Sequence, residues 1–228
     1  MTSTRAENVL EQLKIQANPM NVAGMARYGI NTNGTLGISI PVLRKTARQI
    51  GTDHDLAQEL WDSGIHEARM LAAFIADPDQ TTEDQMESWV NDFDSWDVCD
   101  QVCSNLFDRT PYAVTKAIEW VERDETFIRR AGFVLMASLA VHNKKMTDSQ
   151  FEEFFPLIIN HSNDERNFVK KAINWALRQI GKRNLYLNQA AVDVARQLRR
   201  DEHRSTRWIG SDAERELTSE KTLRKFSR

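Results

Sequence analysis

Trp96 and Asp100 stand four residues apart in the segment Phe93-Asp94-Ser95-Trp96-Asp97-Val98-Cys99-Asp100-Gln101. The segment reads as a loop running into a helix, and that spacing puts both side chains on one helical face. One residue offers a broad π surface and the other a negative charge, a pairing that suits a cationic, planar ligand. The alternative for the same residues is a core tryptophan beside an acid in a solvated or capping cluster, because acids stabilise helix starts. A second group is basic: Lys170, Lys171, Arg178, Lys182 and Arg183 fall within fourteen positions and form a candidate phosphate-binding cluster, or else one charged helix face in solvent.

The charge distribution sharpens this. The net charge is only −3, yet residues 166–228 carry sixteen Lys/Arg against seven Asp/Glu, a net of +9, and residues 1–165 carry −12. A basic C-terminal part on an acidic body points to contact with a polyanion on one side, the alternative being a solvated surface with a biased composition.

Long helices must position these groups. With 9 Gly and 5 Pro in 228 residues the chain is poor in turn formers, and no stretch alternates with period two over a convincing length. Helical periodicity predicts a first helix around Val9, Leu10 and Leu13 and another after Pro41, at Leu43, Ala47 and Ile50. Further helices are predicted near 55–62, 65–76, 81–92, 96–107, 111–122, 125–142, 148–160, 164–182 and 185–200. The 41% hydrophobic content is enough to bury a core. No apolar segment approaches eighteen residues, so neither a signal peptide nor a membrane span is visible. Cys99 and Cys103, four apart on one helix, read as free thiols in a reducing compartment, and the protein is expected in the cytoplasm. A zinc site would need two further ligands, and no His or Cys pair at a suitable spacing supplies them, so no metal is expected.

A weak internal repeat is present. Helices open with basic residues and then a small, apolar run at Glu67-Ala68-Arg69-Met70-Leu71, Ile128-Arg129-Arg130-Ala131-Gly132 and Val169-Lys170-Lys171-Ala172-Ile173. The 41 positions from Arg129 to Lys170 fit paired-helix repeats of the HEAT type, in which one helix of each pair lines a concave face. A non-repetitive helical bundle is the alternative. Residues 1–200 are expected to form one domain, with 201–228 a charged C-terminal helix or tail.

Five stretches carry a resemblance: Met25-Ala26-Arg27-Tyr28, Gly37-Ile38-Ser39-Ile40-Pro41-Val42-Leu43-Arg44, Ser95-Trp96-Asp97-Val98-Cys99-Asp100, Phe127-Ile128-Arg129-Arg130-Ala131, and Lys170-Lys171-Ala172-Ile173-Asn174-Trp175-Ala176-Leu177-Arg178. In order and spacing the chain resembles the AlkD-like family of DNA alkylation repair proteins, a HEAT-like-repeat class of DNA glycosylase, over roughly residues 5–200. One departure is Ser95-Trp96, where the family often has two adjacent tryptophans. The resemblance implies an all-α solenoid of antiparallel helix pairs whose concave groove cradles duplex DNA. It implies removal of cationic N3- or N7-alkylated purines without a metal or organic cofactor. It assigns the catalytic aspartate to Asp100, the lesion-facing tryptophans to Trp96 and Trp175, and a groove arginine to Arg130. Tyr28 falls near the lesion and Arg44 at a phosphate contact.

The expectation is therefore a monomeric DNA glycosylase acting on duplex DNA that contains alkylated bases, with no membrane partner. Two alternatives remain: a non-catalytic DNA-binding protein that recognises distorted or branched DNA, and a helical-repeat scaffold for a protein partner.

Overall fold

The computed structural model describes residues 2–226, and among them every regular element is an α-helix apart from one turn of 3-10 helix at Phe107–Arg109. In chain order these are α1 (Thr4–Ile15), α2 (Pro19–Ala26), α3 (Ile40–Ile50), α4 (His54–Asp62), α5 (His66–Ile75), α6 (Glu83–Asn91), α7 (Trp96–Asn105), α8 (Ala113–Val121), α9 (Thr126–His142), α10 (Asp148–Glu152), α11 (Phe154–Asn160), α12 (Asn167–Ile180), α13 (Leu185–Arg199), α14 (Arg204–Leu217) and α15 (Glu220–Leu223). None of the described helices is long and apolar enough to cross a membrane.

The starts are set by polar caps. Asp53, Thr82 and Asn184 each accept a hydrogen bond from a backbone N–H in the first turn of α4, α6 and α13, and Thr147 with Gln150 closes a capping box on α10. Two elements differ from the periodicity. The helix predicted over 148–160 is broken at Glu153 into α10 and α11, because Pro156 has no N–H to return to the preceding turn. The unpredicted α2 has Pro19 in its first turn and Asn18 as its cap, but it buries no residue, so it leaves no apolar stripe to read.

The chain divides into two compact units, Met1–Thr110 and Pro111–Arg228. In the first, α5 packs against α3, α4 and α7. The core holds Trp61 stacked on Trp89 at 4.0 Å between centroids, flanked by Phe93 and Phe107. Glu67, 1% exposed, fixes the loop before α3: its Oε1 accepts from the N–H groups of Gly37 (2.6 Å) and Ile38 (3.2 Å), and its Oε2 from Leu36 (2.7 Å). Gly37 has φ +78°, and a Cβ there would lie 2.3 Å from the Asn18 carbonyl oxygen, so only glycine fits this turn. Cys99 and Cys103 are buried thiols outside any disulfide; burial, then the Cys99 hydrogen bond and charge, then Asp100 and Asp108, push the Cys103 thiol well above its ordinary range.

In the second unit α9 packs on α8 and on α12, and α14 on α13 and α12. Helix α9 is apolar nearly all round, as a helix covered on several sides must be. The α13–α14 contact is backbone to backbone. A Cβ on Gly210 would lie 2.3 Å from the Arg199 nitrogen and 2.5 Å from the Ala195 oxygen. The segment 201–228, expected as a helix or a tail, forms α14 and α15; Ile209, Ala213 and Leu217 on α14 are buried, while Ser227 and Arg228 lie outside the described residues.

Second helices of successive pairs start at His66, Trp96, Thr126, Asn167 and Arg204, spacings of 30, 30, 41 and 37 residues. The 41-residue interval from Arg129 to Lys170 is thus one step of a longer but uneven series.

Candidate functional site

Helix α7 begins at Trp96, as the motif predicts. The Ser95 side chain does not cap it. Its Oγ instead accepts from the Asn31 backbone N–H at 3.2 Å, which ties the start of α7 to the 30–39 loop. The Trp96 indole Nε1–H donates to the Tyr28 carbonyl oxygen at 3.1 Å. That bond fixes the plane of the ring, which is half-buried. Asp100, also half-buried, follows one turn later on the same face. Arg44 lies along this helix: its Nη2 donates to Gln101 Oε1 (3.3 Å) and Asn105 Oδ1 (3.0 Å), with the guanidinium 4.6 Å above the Phe74 ring. Both hydrogen-bond partners are neutral amides, so Arg44 keeps its full charge for an anion. Arg48 and Arg109 line the same hollow of about 310 Å³, and none of the residues lining it is acidic.

The first turns of α5 and α7 are joined by a buried ion pair. His66, 4% exposed, shares a 2.9 Å hydrogen bond between its Nε2 and Asp97 Oδ2. Burial alone opposes the charged imidazolium. The hydrogen bond to Asp97, then the charges of Asp97, Glu67 and Asp94, outweigh it, and the His66 pKa is raised above its ordinary value of 6.5. A raised folded-state pKa contributes stability that is complete below the unfolded pKa and is lost as pH rises through the folded one. The urea midpoint of the wild-type protein is therefore expected to fall between pH of about 6 and about 8. Asp97→Asn removes the two largest raising causes, leaves burial dominant, and should flatten or reverse that slope. An identical slope in both proteins would show that the pair does not set it.

In the second unit, adjacent arginines have separate partners. Arg129 donates to Asp164 (3.2 Å), Asp124 (3.0 Å) and the Val121 carbonyl (2.9 Å). Asp164 also receives Arg166 at 2.5 Å; burial works against its carboxylate, but Arg166 and Arg129 prevail and its pKa is lowered. This cluster anchors the start of α12. Arg130 is 5% exposed and donates through Nη1 to the Phe168 carbonyl oxygen at 2.5 Å, in the α9–α12 seam. On α12, Lys171 is exposed, Trp175 is half-buried, and the Lys170 ammonium lies 5.1 Å over the Trp208 ring.

The remaining cations of the basic cluster face α14 or the backbone. Arg178 Nη1 donates to Glu216 Oε2 at 2.5 Å and stands 3.7 Å from Asp212, and Lys182 donates to Glu216 Oε1 at 2.7 Å. Arg183 donates to the carbonyls of Ala140 (3.2 Å) and Met146 (3.0 Å) and lies 4.5 Å over the Phe151 ring. Arg178 and Lys182 are thus neutralised from within, by acids on α14, in the segment expected as a helix or a tail. Arg183 serves as a backbone clamp.

The structure therefore brings Tyr28, Arg44, Trp96 and Asp100 together in the first unit, and places Arg130, Lys170, Lys171 and Trp175 on α9 and α12 of the second. Sequence reasoning missed His66, Asp97, Arg48 and Arg109. Asp97 sits inside the quoted motif, and only the 30-residue step between the starts of α5 and α7 could have paired it with His66.

A family model described as DNA alkylation repair enzyme matches residues 9–217. No curated protein matches the chain. Among solved structures, one from a new family related to the HEAT-like repeat DNA glycosylases, with affinity for branched DNA structures, is 18% identical. It covers 92% of this chain and 94% of its own, at a TM-score of 0.76. That likeness shows the fold: an all-α, HEAT-like repeat architecture, as the helix pairing and the resemblance both anticipated. An engineered protein, 11% identical over 82% of this chain and 92% of its own, reaches a TM-score of 0.42, too loose to carry an argument.

Proposed function

This chain belongs to the family of DNA alkylation repair enzymes, and from that premise we propose that it is a DNA glycosylase that hydrolyses the N-glycosidic bond of cationic N3- and N7-alkylated purines in duplex DNA. The observation that carries the reading is the α7 arrangement: a carboxylate one turn from an indole whose plane is locked by the Tyr28 carbonyl.

The chemistry needs little more. An N7-alkylated guanine already bears a positive charge, so when C1′–N9 breaks, the bonding pair leaves with a base that becomes neutral, and no acid has to protonate it. The sugar turns oxocarbenium-like. Asp100 stabilises that charge and orients the water that adds to C1′, whose proton passes to the carboxylate or to solvent. The logic is that of glycoside cleavage with one carboxylate where two are usual. The Trp96 face contributes about 0.5–2 kcal/mol against a cation. Arg44, Arg48 and Arg109 supply phosphate contacts beside it. In the second unit Trp175 and Lys171 are assigned to the nucleotide and the backbone, and Arg130 acts by holding the first turn of α12.

A second reading, DNA binding without excision, is favoured by the affinity of the 18%-identical relative for branched DNA. One experiment separates the two: single-turnover release of 7-methylguanine from alkylated duplex, run beside binding titrations on duplex and four-way-junction DNA. Release from the duplex is the expected result; binding with no base released would establish the second reading in its place. With four phosphates contacted, by Arg44, Arg48, Arg109 and Lys171, affinity should fall roughly 150-fold between about 50 and 200 mM salt. A flat salt profile would count against both readings.

A further inference from the structure

One unexplained feature of the first unit is a cleft of about 390 Å³ between α2, the 30–39 loop and the starts of α5 and α7. Its size is within the range of small-molecule sites. Met20, Met25 and Met70 give it soft, polarizable walls, and Tyr28, 72% exposed, contributes an aromatic edge. The His66–Asp97 pair closes its inner end. Among the described residues only Nε2 of the His66 ring is hydrogen-bonded, so Nδ1 remains for a ligand, its orientation fixed by Asp97. Few polar groups on apolar walls, with one oriented imidazole, is the pattern of a site for a flat heterocycle whose edge pairs with that nitrogen. The cleft also borders the catalytic candidate: the residue at its rim, Tyr28, is the one whose carbonyl holds the Trp96 indole, and Asp97 directly follows Trp96 in the chain.

We propose that this cleft binds a free purine base, the neutral leaving group of the proposed reaction, with His66 Nδ1 hydrogen-bonded to the base edge and the three methionines against its face. The proposal rests on the glycosylase reading for the identity of the ligand, but it is tested without DNA or catalysis. The probe is 7-methylguanine titrated calorimetrically into the full chain. A dissociation constant of about 1 mM or tighter is expected for a ligand this small. Gly24 lines the cleft, and a Cβ built there meets nothing within 4 Å, so there is room to begin a larger side chain, and Gly24→Leu narrows the cleft. It should weaken binding at least tenfold with an unchanged urea midpoint. His66→Gln should weaken it as well. No binding at millimolar base, or equal binding by wild type and Gly24→Leu, overturns the proposal. A protein that binds the free base yet releases none from alkylated DNA keeps the cleft and loses the glycosylase reading; one that releases base and binds none does the reverse.

Discussion

Replacing Asp100 by asparagine is expected to lower single-turnover release of 7-methylguanine by about a hundredfold or more, the scale of removing one electrostatic stabiliser from a transition state. The substitution keeps the shape of the side chain and removes its charge, so the start of α7 and the Trp96–Tyr28 hydrogen bond stay in place. DNA affinity changes little, because a carboxylate near phosphate does not help binding. The contrast is Arg44→Ala. Arg44 is held by neutral amides and an aromatic face, so its loss weakens binding to damaged and undamaged DNA alike and leaves the rate constant of bound substrate nearly intact. Measuring release and affinity separately for each variant tells the two roles apart: an Asp100→Asn protein that excises at the wild-type rate sinks the catalytic assignment.

Gly210→Ala is expected to destabilise the protein by about 3 kcal/mol, the upper end of overpacking costs, although the same change on an open helix stabilises it by about 1 kcal/mol. The sign is decided by what the new methyl meets. At Gly210 it meets the backbone of α13 at 2.3 and 2.5 Å, which cannot rotate away as a side chain would. Gly24→Ala is the internal control, since nothing lies within 4 Å; it is neutral or slightly stabilising. Urea midpoints followed by circular dichroism check both. An unchanged Gly210→Ala midpoint would mean that α13 and α14 are not in backbone contact.

Much of the architecture is legible because paired helices write their apolar faces into the sequence. The starts of α7, α9 and α13 fall at or within one residue of where periodicity puts them. Periodicity cannot show an element with no stripe, such as α2, or a break imposed by one residue, such as Pro156. The site is legible in part, for a similar reason. Trp96 and Asp100 share one helix, so spacing alone places them on one face. The His66–Asp97 pair is made by two helices docking, and nothing local announces it. The basic cluster shows the reverse error. Arg178 and Lys182 look available in the sequence because Glu216 is 34 or more residues away, and only the packing of α14 brings it to them. Asp100 carries one more signal. Counted from the helix start, it occupies the position that Arg130 holds in α9 and Lys171 in α12, so an acid stands where those two helices carry a cation.

The two buried cysteines have a consequence for where such a protein can operate. Cells that contain alkylated purines also contain the electrophile that made them, and the softest target for an electrophile on most proteins is an exposed thiolate. This chain has two cysteines in all; both are fully covered, and Cys103 is held in its protonated, unreactive form. The two thiols of the helix that carries Asp100 are thereby shielded from methylating agents.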